Sequence, residues 1–148
     1  MPKSHVVKLT ITNNSGYAMT KPSSWFDSGR VADGWNIPTT IASGGTDIVE
    51  MYERDNASAG CSGYINYTLN AGTITVAFSN PASGSNKLGC GTGGKSVWND
   101  MESHDYNPFH EKLTINHESF TANESCTGGD VNQATVTLTP AASQTKQR

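Results

Sequence analysis

Three histidines stand beside carboxylates, His104-Asp105, His110-Glu111 and His117-Glu118, the pairing that a general base and its orienting acid would need. Neighbouring residues on a strand point to opposite faces, so His117 and Glu118 cannot form one site locally. None of the pairs accompanies a Gly-x-Ser-x-Gly elbow or a matched Cys-His arrangement. Cys90 sits in Gly89-Cys90-Gly91, yet nothing around it in the sequence would lower a thiol pKa. Asp27, Asp33 and Asp55 lack calcium-loop spacing, and Cys61, Cys90 and Cys126 form no CxxC and match no zinc-type histidine spacing. Catalysis, a bound metal and a cofactor are therefore not expected. Trp35 offers something else. Flanked by Asp33-Gly34 and Asn36, it reads equally as a packed or an exposed ring, and an exposed ring could stack on a sugar or insert among lipid headgroups. Trp25 reads as a core residue.

The elements that must position these residues are strands. Ser62 to Leu69 alternates Tyr64, Asn66 and Thr68 against Ile65, Tyr67 and Leu69, and Gly72 to Phe78 sets Ile74, Val76 and Phe78 opposite Thr75 and Ala77. Asn70-Ala71-Gly72 between them is a hairpin turn, because Asn and Gly tolerate positive φ. Val6 to Thr12 alternates in the same way, with Val7, Leu9 and Ile11 on one face. Short strands are expected within Tyr17–Ser28, Ile37–Gly45 and Thr46–Tyr52, and again at Lys112–His117 and Gln133–Thr139. Lys95–Met101 also reads as a strand, Glu102–His110 as the one helical turn, and Pro81–Gly94 as a long loop. Eight or so short strands between turns predict a single antiparallel β-sandwich over residues 1–140, with at most one or two short helices and a polar tail over 141–148.

The 148 residues suffice for one core without disulfide staples, and three reduced thiols are the simpler expectation. A net charge of −3 with no block of like charge argues against nucleic acid. No apolar run nears the ~20 residues that span a bilayer, and no signal-peptide core follows Met1. The expectation is a cytoplasmic protein or one exported by a route without a signal peptide.

The order of several pieces resembles a known family. Asn14-Ser15-Gly16, then Trp25-Phe26-Asp27-Ser28-Gly29, then Pro38, Gly44 and Tyr52 resemble the opening half of the actinoporins. Gly60, Gly63, Tyr67, Gly72, Thr73, Val76, Phe78, Ser79 and Pro81 continue the likeness, as do Met101-Glu102 and Tyr106-Asn107-Pro108-Phe109. Those proteins are β-sandwich cytolysins that recognise sphingomyelin, and their superfamily includes fungal fruit-body lectins. The resemblance implies a choline-headgroup pocket at Ser28, Ser79, Pro81 and Tyr106, with Ser62 where the family has an apolar pocket residue. It implies a non-enzymatic partner of a lipid headgroup, with a carbohydrate as the alternative, and leaves room for peripheral membrane contact and a homo-oligomer. The chain departs from the family in three ways. It starts at the first strand, without the amphipathic helix that builds a pore. Ala82 to Cys90 carries no aromatic residue, and Asp105 replaces a tyrosine. Lysis by the family's route is not expected.

Overall fold

The computed structural model describes residues 4–55, 57–103 and 109–141, and of residues 109 and 110 only the backbone. It is a sandwich of two sheets. The first has six strands in the order β3 (Arg30–Val31), β5 (Gly45–Tyr52), β1 (Val6–Asn13), β11 (Val131–Pro140), β10 (Glu118–Ser125) and β9 (Phe109–Ile115). The second has five, in the order β4 (Thr40–Ile41), β2 (Met19–Ser28), β6 (Gly60–Leu69), β7 (Gly72–Pro81) and β8 (Lys87–Gly91). Among the described residues one helix, α1 (Lys95–Glu102), follows β8. No helix among the described residues is long and apolar enough to cross a membrane.

The core fills the space between the sheets with the residues that alternation turns inward. Val7, Leu9 and Ile11 of β1 meet Ile65, Tyr67 and Leu69 of β6 and Ile74, Val76 and Phe78 of β7, all buried in one cluster. Tyr67 is fully inside yet keeps its hydroxyl satisfied, donating to the Pro38 carbonyl at 2.6 Å. The hairpin forms as expected, with Asn70 and Ala71 at φ 50° and 61° and Leu69 paired with Gly72. Gly72 must be glycine for packing, since a Cβ would lie 2.6 Å from Ile115 Cγ2.

Several expectations need correction. β1 and β11 run parallel, side by side at the centre of the six-stranded sheet, so the sandwich is antiparallel in every pair but that one. Residues 87–91 form β8 inside the expected loop, because Leu88 and Cys90 point into the core. Lys95–Met101 is helix and not strand. Val97, Trp98 and Met101 share one helical face, a three-residue stripe too short to register as periodicity. Most of the helical turn expected over Glu102–His110 lies outside the described residues, at 104–108; α1 ends at Glu102, and β9 already begins at Phe109. His117 is not on a strand but in a second tight turn, at φ 70° beside Asn116 at 49°. β10 has no counterpart among the expected strands. Beyond Ala141 the polar tail is outside the described residues.

Buried polar groups complete the interior. Asn132 is wholly enclosed, and its amide donates to the Ser79 carbonyl at 3.0 Å and the Lys87 carbonyl at 3.2 Å. Glu124 is not satisfied in this way: it is 4% exposed and neither carboxylate oxygen has a hydrogen-bond partner. Burial pushes its carboxyl up from the ordinary 4.5 to about 9, and the nearby Glu111 carboxylate adds to the effect. Folding therefore takes up a proton at neutral pH. That group favours the fold fully only below about pH 4.5, and stability drains as pH rises toward about 9. Two outcomes follow for thermal unfolding. Glu124→Gln should raise the midpoint at pH 8 and flatten its decline between pH 5 and 9, and an unchanged slope would contradict the assignment. Asn132→Ala should lose about 1–3 kcal/mol for each carbonyl left without a donor, read from urea unfolding.

Candidate functional site

The outer surface of the five-stranded sheet carries three cross-strand rows, because residues paired directly across strands share a face. The first row is Ser28, Ser62, Ser79 and Lys87, in register over β2, β6, β7 and β8. The second is Trp25, Tyr64, Ala77 and Gly89. The third is Ser23, Asn66, Thr75 and Gly91. On the β7–β8 side the last two rows shrink to Ala77, Gly89 and Gly91, and α1 lies down on that bare strip. A Cβ on Gly89 would stand 3.1 Å from Met101 Cβ, and one on Gly91 2.8 Å from Val97 Cγ2. Thr75 fixes the start of α1, its hydroxyl donating to Asn66 Oδ1 at 2.6 Å and accepting the Gly94 N–H at 2.9 Å.

Seating α1 brings its side chains onto the first row. Trp98 Nε1 donates to Ser62 Oγ at 2.8 Å, and Ser62 Oγ donates to Glu102 Oε2 at 3.2 Å. Lys87 Nζ donates to the Glu102 carbonyl at 2.8 Å, placing a cation at the C-terminal end of the helix, where its dipole favours one. Ser62 and Ser79 are buried, Ser28 half-buried, and Ser79 Oγ has no hydrogen-bond partner.

Three rings gather beside them. Trp98 meets Trp25 edge-on with centroids 5.1 Å apart, and Trp25 meets Tyr64 at 5.6 Å. Lys95 Nζ stands 4.6 Å over the Trp25 ring. All three rings are half-buried, with one side toward solvent. Trp25 is thus not the core residue its neighbours in sequence suggest. Phe26 takes the inward position, edge-on to Phe78 at 5.7 Å.

The structure thus brings together Ser28, Ser62 and Ser79, three of the residues the resemblance points to. Pro81 lies two positions past Ser79, opposite Gly60, at the corner where the sheet face ends. Trp35 is 37% exposed in the loop between β3 and β4, takes no part in the ring contacts, and sits toward the sheet edge away from β8. Tyr106 lies outside the described residues. The sequence reading missed Trp98, Glu102, Tyr64 and Lys95. Their signal was the i, i+4 spacing of Val97 to Met101 and of Trp98 to Glu102, legible once residues 95–102 are read as a helix.

Burial pushes the Cys61 thiol up to about 12 and the Cys90 thiol well above its ordinary range, so both sit in the core as inert thiols. No cysteine is disulfide-bonded. Among the described residues no cluster of His, Cys, Asp or Glu could hold a metal ion.

No family model and no curated protein matches the sequence. Solved structures do match the fold. The lipid binding protein Nakanori superposes with a TM-score of 0.72 over 93% of this chain and 72% of that one, at 13% identity. IP-1A from Alcaligenes faecalis gives 0.57 over 95% of each chain at 16% identity. The Xerocomus chrysenteron lectin XCL gives 0.51 over 91% of this chain and 97% of that one, at 15% identity. The chain thus shares the two-sheet β-sandwich fold of these lipid-binding and lectin structures. At such identities the likeness is one of fold.

The seat of α1 is directly testable. Gly91→Val should crowd Val97, cost about 1–3 kcal/mol and red-shift tryptophan emission as Trp98 leaves Ser62. Unchanged emission and stability would mean the helix does not depend on that bare strip.

Proposed function

We propose that this chain is a non-enzymatic binding protein that reads a membrane lipid headgroup of the phosphocholine type on its α1 face. The observation that carries the reading is Lys95, whose ammonium already stands 4.6 Å over Trp25 within a group of three touching rings. A quaternary ammonium has no N–H to donate, so ring faces and a nearby carboxylate are its natural partners. Trp25, Tyr64 and Trp98 supply the rings. Glu102, one helical turn beyond Trp98, supplies the carboxylate. Phosphate oxygens would find the Ser28 hydroxyl and Lys87 at the ends of the serine row. Tyr106 stays in the reading as the further ring that the family resemblance assigns to this pocket, with Ser62, Ser79 and Pro81 as its wall. Binding of this kind uses shape, dipoles and ring faces and breaks no bond.

The presence of a lipid binding protein among the similar structures supports the reading in its coarse form. A carbohydrate ligand is the second reading. The same ring faces suit the apolar side of a sugar, and a lectin is also among the similar structures.

Vesicle co-sedimentation decides between them. Vesicles containing sphingomyelin or phosphatidylcholine should pull the protein down, and vesicles of phosphatidylglycerol and phosphatidylethanolamine should not. Trp25→Ala and Tyr106→Ala should each weaken that binding about 2- to 30-fold, the range of one cation–π contact of about 0.5–2 kcal/mol. Equal sedimentation with and without choline lipids would reject the headgroup. Glycan-array binding lost in Trp25→Ala, without vesicle binding, would establish the second reading.

A further inference from the structure

We infer that a cleft at one end of the sandwich, between the β7–β8 and β10–β11 loops, is a separate carbohydrate-binding site. It shares only Pro81, at the corner between them, with the pocket proposed on the α1 face. It measures about 550 Å³, within the range of small-molecule sites. Its walls carry the amides of Asn80 and Asn86, the hydroxyls of Ser85 and Thr127, the Asp130 carboxylate and the His5 imidazole. Among the described residues that line it there is no lysine or arginine, so it lacks the guanidinium or ammonium that phosphate sites favour. Among the described residues that line it there is no Phe, Tyr or Trp, so a quaternary ammonium would find none of the ring faces that bind it best. The Asn80 and Asn86 amide N–H groups and the Thr127 hydroxyl proton are already given to backbone carbonyls, so the side chains present mainly acceptors, the amide oxygens and the Asp130 carboxylate, beside the Ser85 hydroxyl. A sugar diol, each hydroxyl of which can donate to such acceptors, is the ligand class that the set matches.

The cleft is held open before any ligand arrives. Asn86 Nδ2 donates to the Thr127 carbonyl at 2.7 Å and the Gly129 carbonyl at 3.0 Å, tying one loop to the other. Asn80 Nδ2 reaches the Val6 carbonyl at 2.9 Å and the Asp130 carbonyl at 3.0 Å, fixing the floor to β1. Both asparagines are more than nine-tenths buried. A wall already ordered spares the ligand the entropy of ordering it. Gly128 adds an independent sign. Its backbone needs no positive φ and a Cβ there would meet nothing within 4 Å, so neither conformation nor packing demands glycine. Gly129 and Gly84 differ, at φ +90° and +103°. The bareness of Gly128 keeps the wall clear.

The test is a titration of the ¹⁵N-labelled chain, followed by amide chemical shifts, with free glucose, galactose, mannose and N-acetylglucosamine, and separately with phosphocholine. At least one sugar at millimolar concentration should move the amides of residues 84–86 and 127–130 saturably, while phosphocholine leaves them in place. Gly128→Leu should abolish the sugar response with the thermal midpoint kept, and Trp25→Ala should leave it intact. Asp130→Ala, whose backbone contacts survive, should weaken the response at least several-fold and serves if the leucine variant folds poorly. No response from any sugar at these amides would overturn the inference. So would a response that survives both cleft variants, or one lost in Trp25→Ala. Because the headgroup reading is scored by vesicles and by Trp25, each proposal can fail while the other stands.

Discussion

Four enclosed asparagine side chains, Asn13, Asn80, Asn86 and Asn132, decide where the loops of this sandwich go. A loop carbonyl drawn out of water has no ladder partner, and burying it bare is costly. Each asparagine answers with a short planar amide whose two N–H groups can bridge segments distant in sequence. Asn13 closes the corner after β1 through the Tyr17 carbonyl at 2.8 Å and the Ile41 carbonyl at 2.9 Å. At the other end, Asn132 holds the carbonyls of Ser79 and Lys87, two members of the serine row. That amide ties the last pair of the β7–β8 ladder, and so one end of the platform under α1, to β11. In a chain with no disulfide, these contacts do the stapling.

Local smallness turns the platform into a recognition surface. Ala77, Gly89 and Gly91 remove side chains where the helix must approach, and the two neighbouring strands keep Trp25 and Tyr64 at full size. The helix therefore sits to one side and delivers Trp98 to the aromatic group. Its last turn bonds Ser62 through Glu102. The same seating explains why Ser62 is a hydrogen-bond relay between Trp98 and Glu102, where an apolar residue would have left the indole N–H unpaired.

Strands with strict alternation were legible from the sequence. β1, β6 and β7 each carry an uninterrupted period of two, and the residues expected inside are inside. The resemblance to the actinoporins also led to a row that the structure assembles from Ser28, Ser62 and Ser79. What stayed hidden shares one physical cause: its signal lies in other parts of the chain. β8 is Lys-Leu-Gly-Cys-Gly, whose glycines look like loop until Val97 and Met101 are seen resting on them. α1 has no side-chain cap and only two turns, so packing and not propensity makes it a helix. Trp25 looks like core because bulk and apolarity suggest it. The inward place went to Phe26, and only the cross-strand register tells them apart.

The parallel union of β1 with β11 carries a temporal consequence. Of the strands of this sandwich β1 is synthesised before the others and finds one neighbour in β5 after some forty residues, but the other only when β11 has been made. Until then its free edge and apolar side stay uncovered, while β6 and β7 can pair at once across a two-residue turn. Synthesis of this domain thus passes through a stage in which the five-stranded half can exist and the six-stranded half cannot. Chaperone dependence and aggregation during translation should concentrate in that interval.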